Sequence, residues 1–125
     1  MKGKVFSGEG KASKFLQIDE YSEFIQEEAG FEPFPGTLNL RGDPQEIKKL
    51  KSQTEKSRLE GFETDGREFG GLEIYFIEIE GLKACLIDPD LSRYGKDVVE
   101  VCSSSKLRSK LGIEDGDKVE ITSSR

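Results

Sequence analysis

Short apolar runs, each cut by a glycine, a proline or an Asp-Gly pair, succeed one another along most of this chain. Such runs read as strands. The series is 4–7, 15–18, 37–41, 59–64, 69–79, 82–87, 98–102 and 118–122. Asp65-Gly66 marks a hairpin turn between two of them, and Gly81 breaks the longest run. Helical spacing is confined to short pieces. Tyr21, Phe24, Ile25 and Ala29 predict a helix over 19–29 that Asp19 or Ser22 can cap and Gly30 stops. Ile47 and Leu50 predict a short surface helix within 43–54, and Ser104 or Ser105 can cap another over 106–111. Many short strands with two or three brief helices predict a closed or nearly closed β-barrel. No repeat or linker divides the chain, so residues 1–125 are expected to form one domain.

The segment Gly30-Phe31-Glu32-Pro33-Phe34-Pro35-Gly36-Thr37-Leu38-Asn39-Leu40 runs from a Pro/Gly-rich turn straight into a strand. Side chains alternate along a strand, so Leu38 and Leu40 face a core while Thr37, Asn39 and Arg41 share the opposite face. That polar trio is expected at the mouth of a turn, where ligands are commonly held.

Charge narrows the function classes. The net charge is −6, which disfavours non-specific nucleic-acid binding, since that needs clustered Lys and Arg. A few local cations can still serve one phosphate chain. The absence of histidine and of any Cys-x-x-Cys pair argues against a zinc site, and the missing histidine removes the commonest general base. Cys85 and Cys102 lie in apolar runs and read as reduced core thiols. No leader-like or membrane-length apolar stretch is present, so a cytoplasmic protein without membrane contact is expected.

Several motifs carry alternatives. Gly8-Glu9-Gly10-Lys11 follows a strand but is no Walker A motif, because Val5 and Ala12 stand where Gly and Ser or Thr are required. It reads either as an ordinary glycine turn or as a loop whose backbone N–H groups, with Lys11 and Lys14, approach an anion. Asp88-x-Asp90-x-Ser92 lacks the later Gly and Glu of a calcium loop and reads as a polar loop. Glu100, among valines, is either an outward strand carboxylate or an acceptor for ligand N–H or O–H groups. Lys106 and Arg108, at a helix start, are either solvated or anion-binding.

Four segments then occur together in order: Val5-Phe6-Ser7-Gly8-Glu9-Gly10, residues 30–40, Asp97-Val98-Val99-Glu100-Val101, and Lys106-Leu107-Arg108 with Leu111-Gly112-Ile113-Glu114-Asp115-Gly116-Asp117. In this the chain resembles the archaeal CTP-dependent riboflavin kinase family over nearly its whole length. The resemblance implies a compact six-stranded cradle-loop β-barrel with two or three short helices. It implies transfer of the CTP γ-phosphate to the ribityl hydroxyl of riboflavin with Mg²⁺, giving FMN and CDP. CTP and riboflavin would be the partners of a monomer, in the stand-alone form without an N-terminal winged helix.

Carried over residue by residue, Gly8, Glu9, Gly10, Lys11, Ala12 and Ser13 would wrap the nucleotide. Ser105, Lys106, Leu107 and Arg108 would hold it from the other side. Thr37 and Asn39 would ligate Mg²⁺. Ser92 and Glu100 would contact the flavin, and Glu100 is also a candidate base. The chain departs from the family pattern at Glu9, at Ala12-Ser13 and at Ser92, where Thr is usual. A non-catalytic flavin- or nucleotide-binding barrel is the alternative. It would have no need of the Thr37–Asn39 pair.

Overall fold

The computed structural model describes residues 1–8, 10–92 and 94–124. The chain opens with strand β1 (Lys2–Phe6), then helices α1 (Ala12–Leu16) and α2 (Asp19–Ala29), then β2 (Leu38–Arg41) and α3 (Pro44–Ser52). Strands β3 (Lys56–Leu59), β4 (Phe62–Thr64) and β5 (Arg67–Phe69) precede the two longest, β6 (Leu72–Ile79) and β7 (Leu82–Pro89). Strand β8 (Val98–Cys102), helix α4 (Leu107–Leu111) and β9 (Lys118–Ser123) complete it.

Six strands close into an antiparallel barrel in the order β6-β7-β8-β2-β1-β9, as expected. Closure is made by β9 against the second half of β6, from Ile77↔Ser123 to Ile79↔Ile121. The first half of that β6 edge pairs instead with β3, so the edge is covered along its length. Strands β4 and β5 form a separate hairpin whose Asp65 and Gly66 have φ of 52° and 73°, the left-handed pair that a tight hairpin needs.

Strand alternation builds two cores. Inward residues, among them Val5, Leu38, Leu40, Ile77, Leu86, Val101 and Ile121, fill the barrel. Outward residues of β6, β7 and β8 (Leu72, Ile74, Phe76, Cys85, Ile87 and Cys102) form a second core against Leu16 of α1 and Tyr21, Ile25 and Ala29 of α2. The outer face of β8 that carries Cys102 also carries Glu100, and the outer face of β2 carries Asn39. A barrel wall therefore supports a site on its outside, bounded by the α1–α2 layer. Cys85 and Cys102 are free, buried and directly opposite each other. The hydrogen bond with Cys102, and then burial, push the Cys85 thiol up, which keeps it protonated and unreactive.

Several local expectations are corrected. Residues 15–18 are not a strand: Phe15 and Leu16 belong to α1, where Leu16 enters the outer core and Phe15 stacks on Tyr21. Four apolar or amphipathic residues in a row have no period that separates helix from strand, and tertiary packing decides. The described residues thus hold four helices rather than two or three. The runs 59–64 and 69–79 are each divided, because the β4–β5 hairpin stands apart from the barrel. Neither Asp19 nor Ser22 caps α2, whose N-cap position is Ile18. Asp19 instead lies in the first turn, where its charge favours the helix dipole. At α4, Lys106 occupies the cap position, and the Ser105 N–H donates to Ser103 Oγ instead.

Candidate active site

The turn before β2 is anchored to the end of β8: Phe34 N–H donates to the Ser103 carbonyl at 2.8 Å, and Gly36 N–H to the Phe34 carbonyl at 2.8 Å. This fixes the approach of Thr37. Its hydroxyl donates to Glu100 Oε2 at 3.0 Å, which leaves the Thr37 oxygen lone pairs turned to other partners. Asn39 lies opposite Phe6 on one side and Glu100 on the other. Its Oδ1 is buried and has no hydrogen-bond partner among the described residues. An unpaired buried acceptor is costly, on the order of 1–3 kcal/mol, so its retention calls for a ligand.

A cavity of about 440 Å³ opens over these groups, within the size range of small-molecule sites. Its apolar wall comes from Phe15, Ile18, Tyr21, Phe69, Ile87 and Leu91, and its polar floor from Thr37, Asn39 and Glu100. Phe15 and Tyr21 stack with centroids 3.9 Å apart, and the Tyr21 hydroxyl donates to the Gly70 carbonyl at 2.7 Å. Leu91, 80% exposed, is a large apolar side chain left at the cavity rim. Gly10, Lys11, Ala12 and Ser13 border the same space, with Lys11 as the N-cap residue of α1.

A smaller pocket of about 140 Å³ lies beside Ser105, Lys106, Leu107 and Arg108. Gly36 and Thr37 line both spaces, so the two meet at the start of β2. Arg108 is held in place by Asp115 Oδ1 at 2.6 Å and also donates to the Phe6 carbonyl at 3.3 Å. Ser7 Oγ donates to the same Asp115 carboxylate at 2.8 Å. Asp115 thus ties the root of the 8–13 loop to α4. Arg108 first, and then the Ser7 hydroxyl, hold the Asp115 carboxyl below its usual range.

Glu100 is the perturbed acid of the larger cavity. Burial pushes its carboxyl up, the Thr37 hydroxyl pulls it down, and the Asp88 charge pushes it up again, with a net rise. Asp88 itself pairs with Lys51 at 3.1 Å. A carboxyl raised in the folded state loses stability as pH rises from the ordinary Glu range through the folded value. Glu100→Gln removes that ionisation and keeps an acceptor for Thr37. Its melting temperature is expected to exceed the wild-type value at about pH 7.5 and to converge with it near pH 4, as thermal unfolding at both values checks.

The structure brings Gly10, Lys11, Ala12, Ser13, Thr37, Asn39, Ser92 and Glu100 to one cavity, and Ser105, Lys106, Leu107 and Arg108 to the adjoining pocket. Glu9 lies outside the described residues. Arg41 does not join the cavity: it pairs with Asp97 at 2.7 Å and lies over the Phe6 ring. In the 88–92 loop, Asp90 is engaged by Arg58 at 2.8 Å and Asp88 by Lys51 at 3.1 Å. Among the described residues, no three His, Cys, Asp or Glu side chains converge on a common point. Sequence reasoning missed Tyr21, Phe69, Leu91 and Tyr94 at the cavity and Asp115 behind Arg108. No local spacing announces such contacts, which the packing of α2, the β4–β5 hairpin and the loops against the outer barrel wall makes.

Residues 5–122 match the family model CTP-dep_RFKase, described as a domain of unknown function, DUF120. The chain belongs to the CTP-dependent riboflavin kinase family. Proteins named riboflavin kinase in Archaeoglobus fulgidus and Methanocella arvoryzae are similar members, 38% identical over 124 residues and 37% over 123. These alignments cover 97% and 98% of this chain but 53% and 56% of those proteins. An Ignicoccus hospitalis riboflavin kinase is 34% identical over 97% of this chain and 69% of its own length. The chain thus spans about half the length of the first two relatives of this riboflavin kinase family. No helix among its described residues is long and apolar enough to cross a membrane.

Proposed function

We propose that this chain transfers the γ-phosphate of CTP to the ribityl 5′-hydroxyl of riboflavin, yielding FMN and CDP. The observation that carries this is the meeting of two unlike spaces at Gly36-Thr37. One is aromatic and apolar, suited to a planar ring system. The other is bordered by Lys106, Arg108 and backbone at the start of α4, suited to an anion. A reaction between a flavin in the first and a nucleotide in the second would take place beside Thr37, Asn39 and Glu100.

Phosphoryl transfer requires positioning and charge neutralisation more than covalent help from the protein. Lys11, Lys14 and Lys106 supply positive charge around the 8–13 loop and α4. Arg108, already neutralised in part by Asp115, serves to hold those two segments together. Glu100 lies where it can accept a hydrogen bond from the ribityl hydroxyl and orient it for in-line attack. As the 5′-oxygen bonds to the γ-phosphorus, the bond to the CDP oxygen breaks and the hydroxyl proton is released.

The donor set suits Mg²⁺. Thr37 Oγ1 and Asn39 Oδ1 are neutral hard oxygens, and the second is buried without a partner. Mg²⁺ is commonly held by only one or two protein groups together with waters and substrate phosphates. When bound, it would neutralise charge on the phosphates.

Parallel incubations of protein, riboflavin and Mg²⁺ with CTP or with ATP, resolved by chromatography, test the function. FMN with CTP and much less with ATP is expected. No FMN with either nucleotide, while riboflavin fluorescence still quenches, would mean a non-catalytic flavin binder instead.

A further inference from the structure

The chain leaves β7 through a tight turn in which the Ser92 N–H donates to the Pro89 carbonyl at 3.0 Å. Pro89, Leu91 and Ser92 of that turn border the large cavity, and Asp90 does not. The Asp90 carboxylate instead receives both arms of the Arg58 guanidinium. Nη1 donates to Oδ1 at 3.0 Å and Nη2 to Oδ2 at 2.8 Å. Two parallel bonds of this kind fix direction as well as distance, which a single ammonium cannot do. The Asp90 N–H donates to the Gly71 carbonyl at 3.0 Å, a second tie on the same residue. The Arg58 hydrogen bond, first among the causes, holds the Asp90 carboxyl below its usual range, so the pair is ionised at neutral pH.

This pair reaches across a strand. Leu59, Leu72 and Pro89 stand in one row across β3, β6 and β7, with β6 in the middle. Adjacent strands lie about 4.8 Å apart, so Arg58 on β3 and Asp90 after β7 start roughly 10 Å apart. They meet over Gly71, the residue before β6. A Cβ there would come within 2.8 Å of Arg58 Nη2, of Asp90 Oδ2 and of the Leu59 carbonyl. Only a residue without a side chain leaves room for the crossing. Gly71 also borders the cavity, whereas Arg58 does not. The ion pair therefore lies behind the cavity wall and outside the cavity itself.

We propose that Arg58 is a positioning residue for the flavin side of the reaction: its forked pairing with Asp90 holds the 89–92 turn in the shape that presents Leu91 and Ser92 to the cavity. This rests on the reading that riboflavin occupies that cavity. A wall ordered beforehand need not be ordered when the ligand arrives, and a released turn adds that cost to binding. Arg58 touches neither the 8–13 loop nor α4, so its loss falls on riboflavin and spares the nucleotide.

Arg58→Gln and Asp90→Asn each break the pair while keeping a polar side chain. The two partners are 36% and 40% exposed, so the fold tolerates the changes. Riboflavin affinity is read from fluorescence quenching and CDP affinity from calorimetry, with steady-state rates and melting curves on the same preparations. Riboflavin Kd and KM are expected to rise about tenfold in each variant, the scale of ordering one or two side chains on binding. The double variant should be no weaker than either single one, because both remove the same interaction. CDP affinity, and kcat at saturating substrates, should stay within about twofold of wild type. Arg58→Lys keeps the charge without the fork and should remain weakened. Glu60→Gln removes the other partner of Arg58, held by Nε at 2.8 Å, and should bind riboflavin as wild type does.

Unchanged riboflavin affinity in Arg58→Gln, in a protein that still makes FMN, would overturn the role of Arg58 and leave the proposed reaction standing. Additive losses in the double variant would overturn it too, as would equal weakening of riboflavin and CDP, which marks a general loosening. An equal loss in Glu60→Gln would place the cause in the end of β3 and not in the turn. No riboflavin binding by the wild type would remove the cavity reading and this inference together.

Discussion

Asn39→Ala is expected to lower FMN formation by roughly a hundredfold or more, about 2.7 kcal/mol of transition-state stabilisation, without unfolding the protein. Two opposing effects act on the fold. Truncation removes packing on the outer face of β2, which destabilises. It also removes an acceptor that is buried with no partner, which relieves a desolvation cost of about 1–3 kcal/mol. The melting temperature of the ligand-free variant should therefore lie close to wild type or above it. A core residue behaves differently, since Leu38 and Leu40 on the opposite face of the same strand are buried in the barrel. Steady-state rates at saturating CTP and riboflavin, with melting curves on the same preparations, check both halves. Wild-type turnover in Asn39→Ala would remove it from the cation site. A collapse of the melting temperature would make it structural instead.

Gly8→Ala should be comparably severe for a different reason. The added methyl has no room: it meets the Tyr94 hydroxyl and the Asn39 amide together. One of them must move, or the strand exit must shift away from the barrel. Each route displaces a group beside the proposed cation site. Misplacement of about 1 Å can cost on the order of a hundredfold in rate. Most of the fold should survive, because Gly8 lies beyond the end of β1 and the barrel pairing stops at Phe6. A far lower rate of FMN formation with a cooperative melt is the expected result. A Gly10→Ala control faces open space, although its φ of 74° carries some backbone strain.

Much of this site was legible wherever a period of two operates. Leu38 and Leu40 in the barrel oblige Thr37 and Asn39 to face outward, and Val99 and Val101 do the same for Glu100. Burial of one face sets the other, and a strand offers no third choice. The hairpin at Asp65-Gly66 was legible too, because the turn demands left-handed residues. What escaped lacks such local dictation. The five-residue helix α1 is too short to display a period, and its Phe15 is held by a stack with Tyr21. Arg108 looked like a free cation, yet Asp115 claims it across the Gly112 turn. Tyr94 reads as one loop residue among several until the β1–β2 pairing brings Phe6, Gly8 and Asn39 together near it. Arg41 shares the alternation of Thr37 and Asn39 but lies too far along the strand, where Asp97 is the nearer partner.

The most direct test of phosphoryl transfer across the Thr37–Asn39 edge is to follow the label. CTP carrying ³²P at the γ position is incubated with the protein, riboflavin and Mg²⁺, and the products are separated. Label should appear in FMN, with one CDP formed for each FMN. Label released as inorganic phosphate, or retained in CTP while riboflavin remains bound and unmodified, would contradict the account.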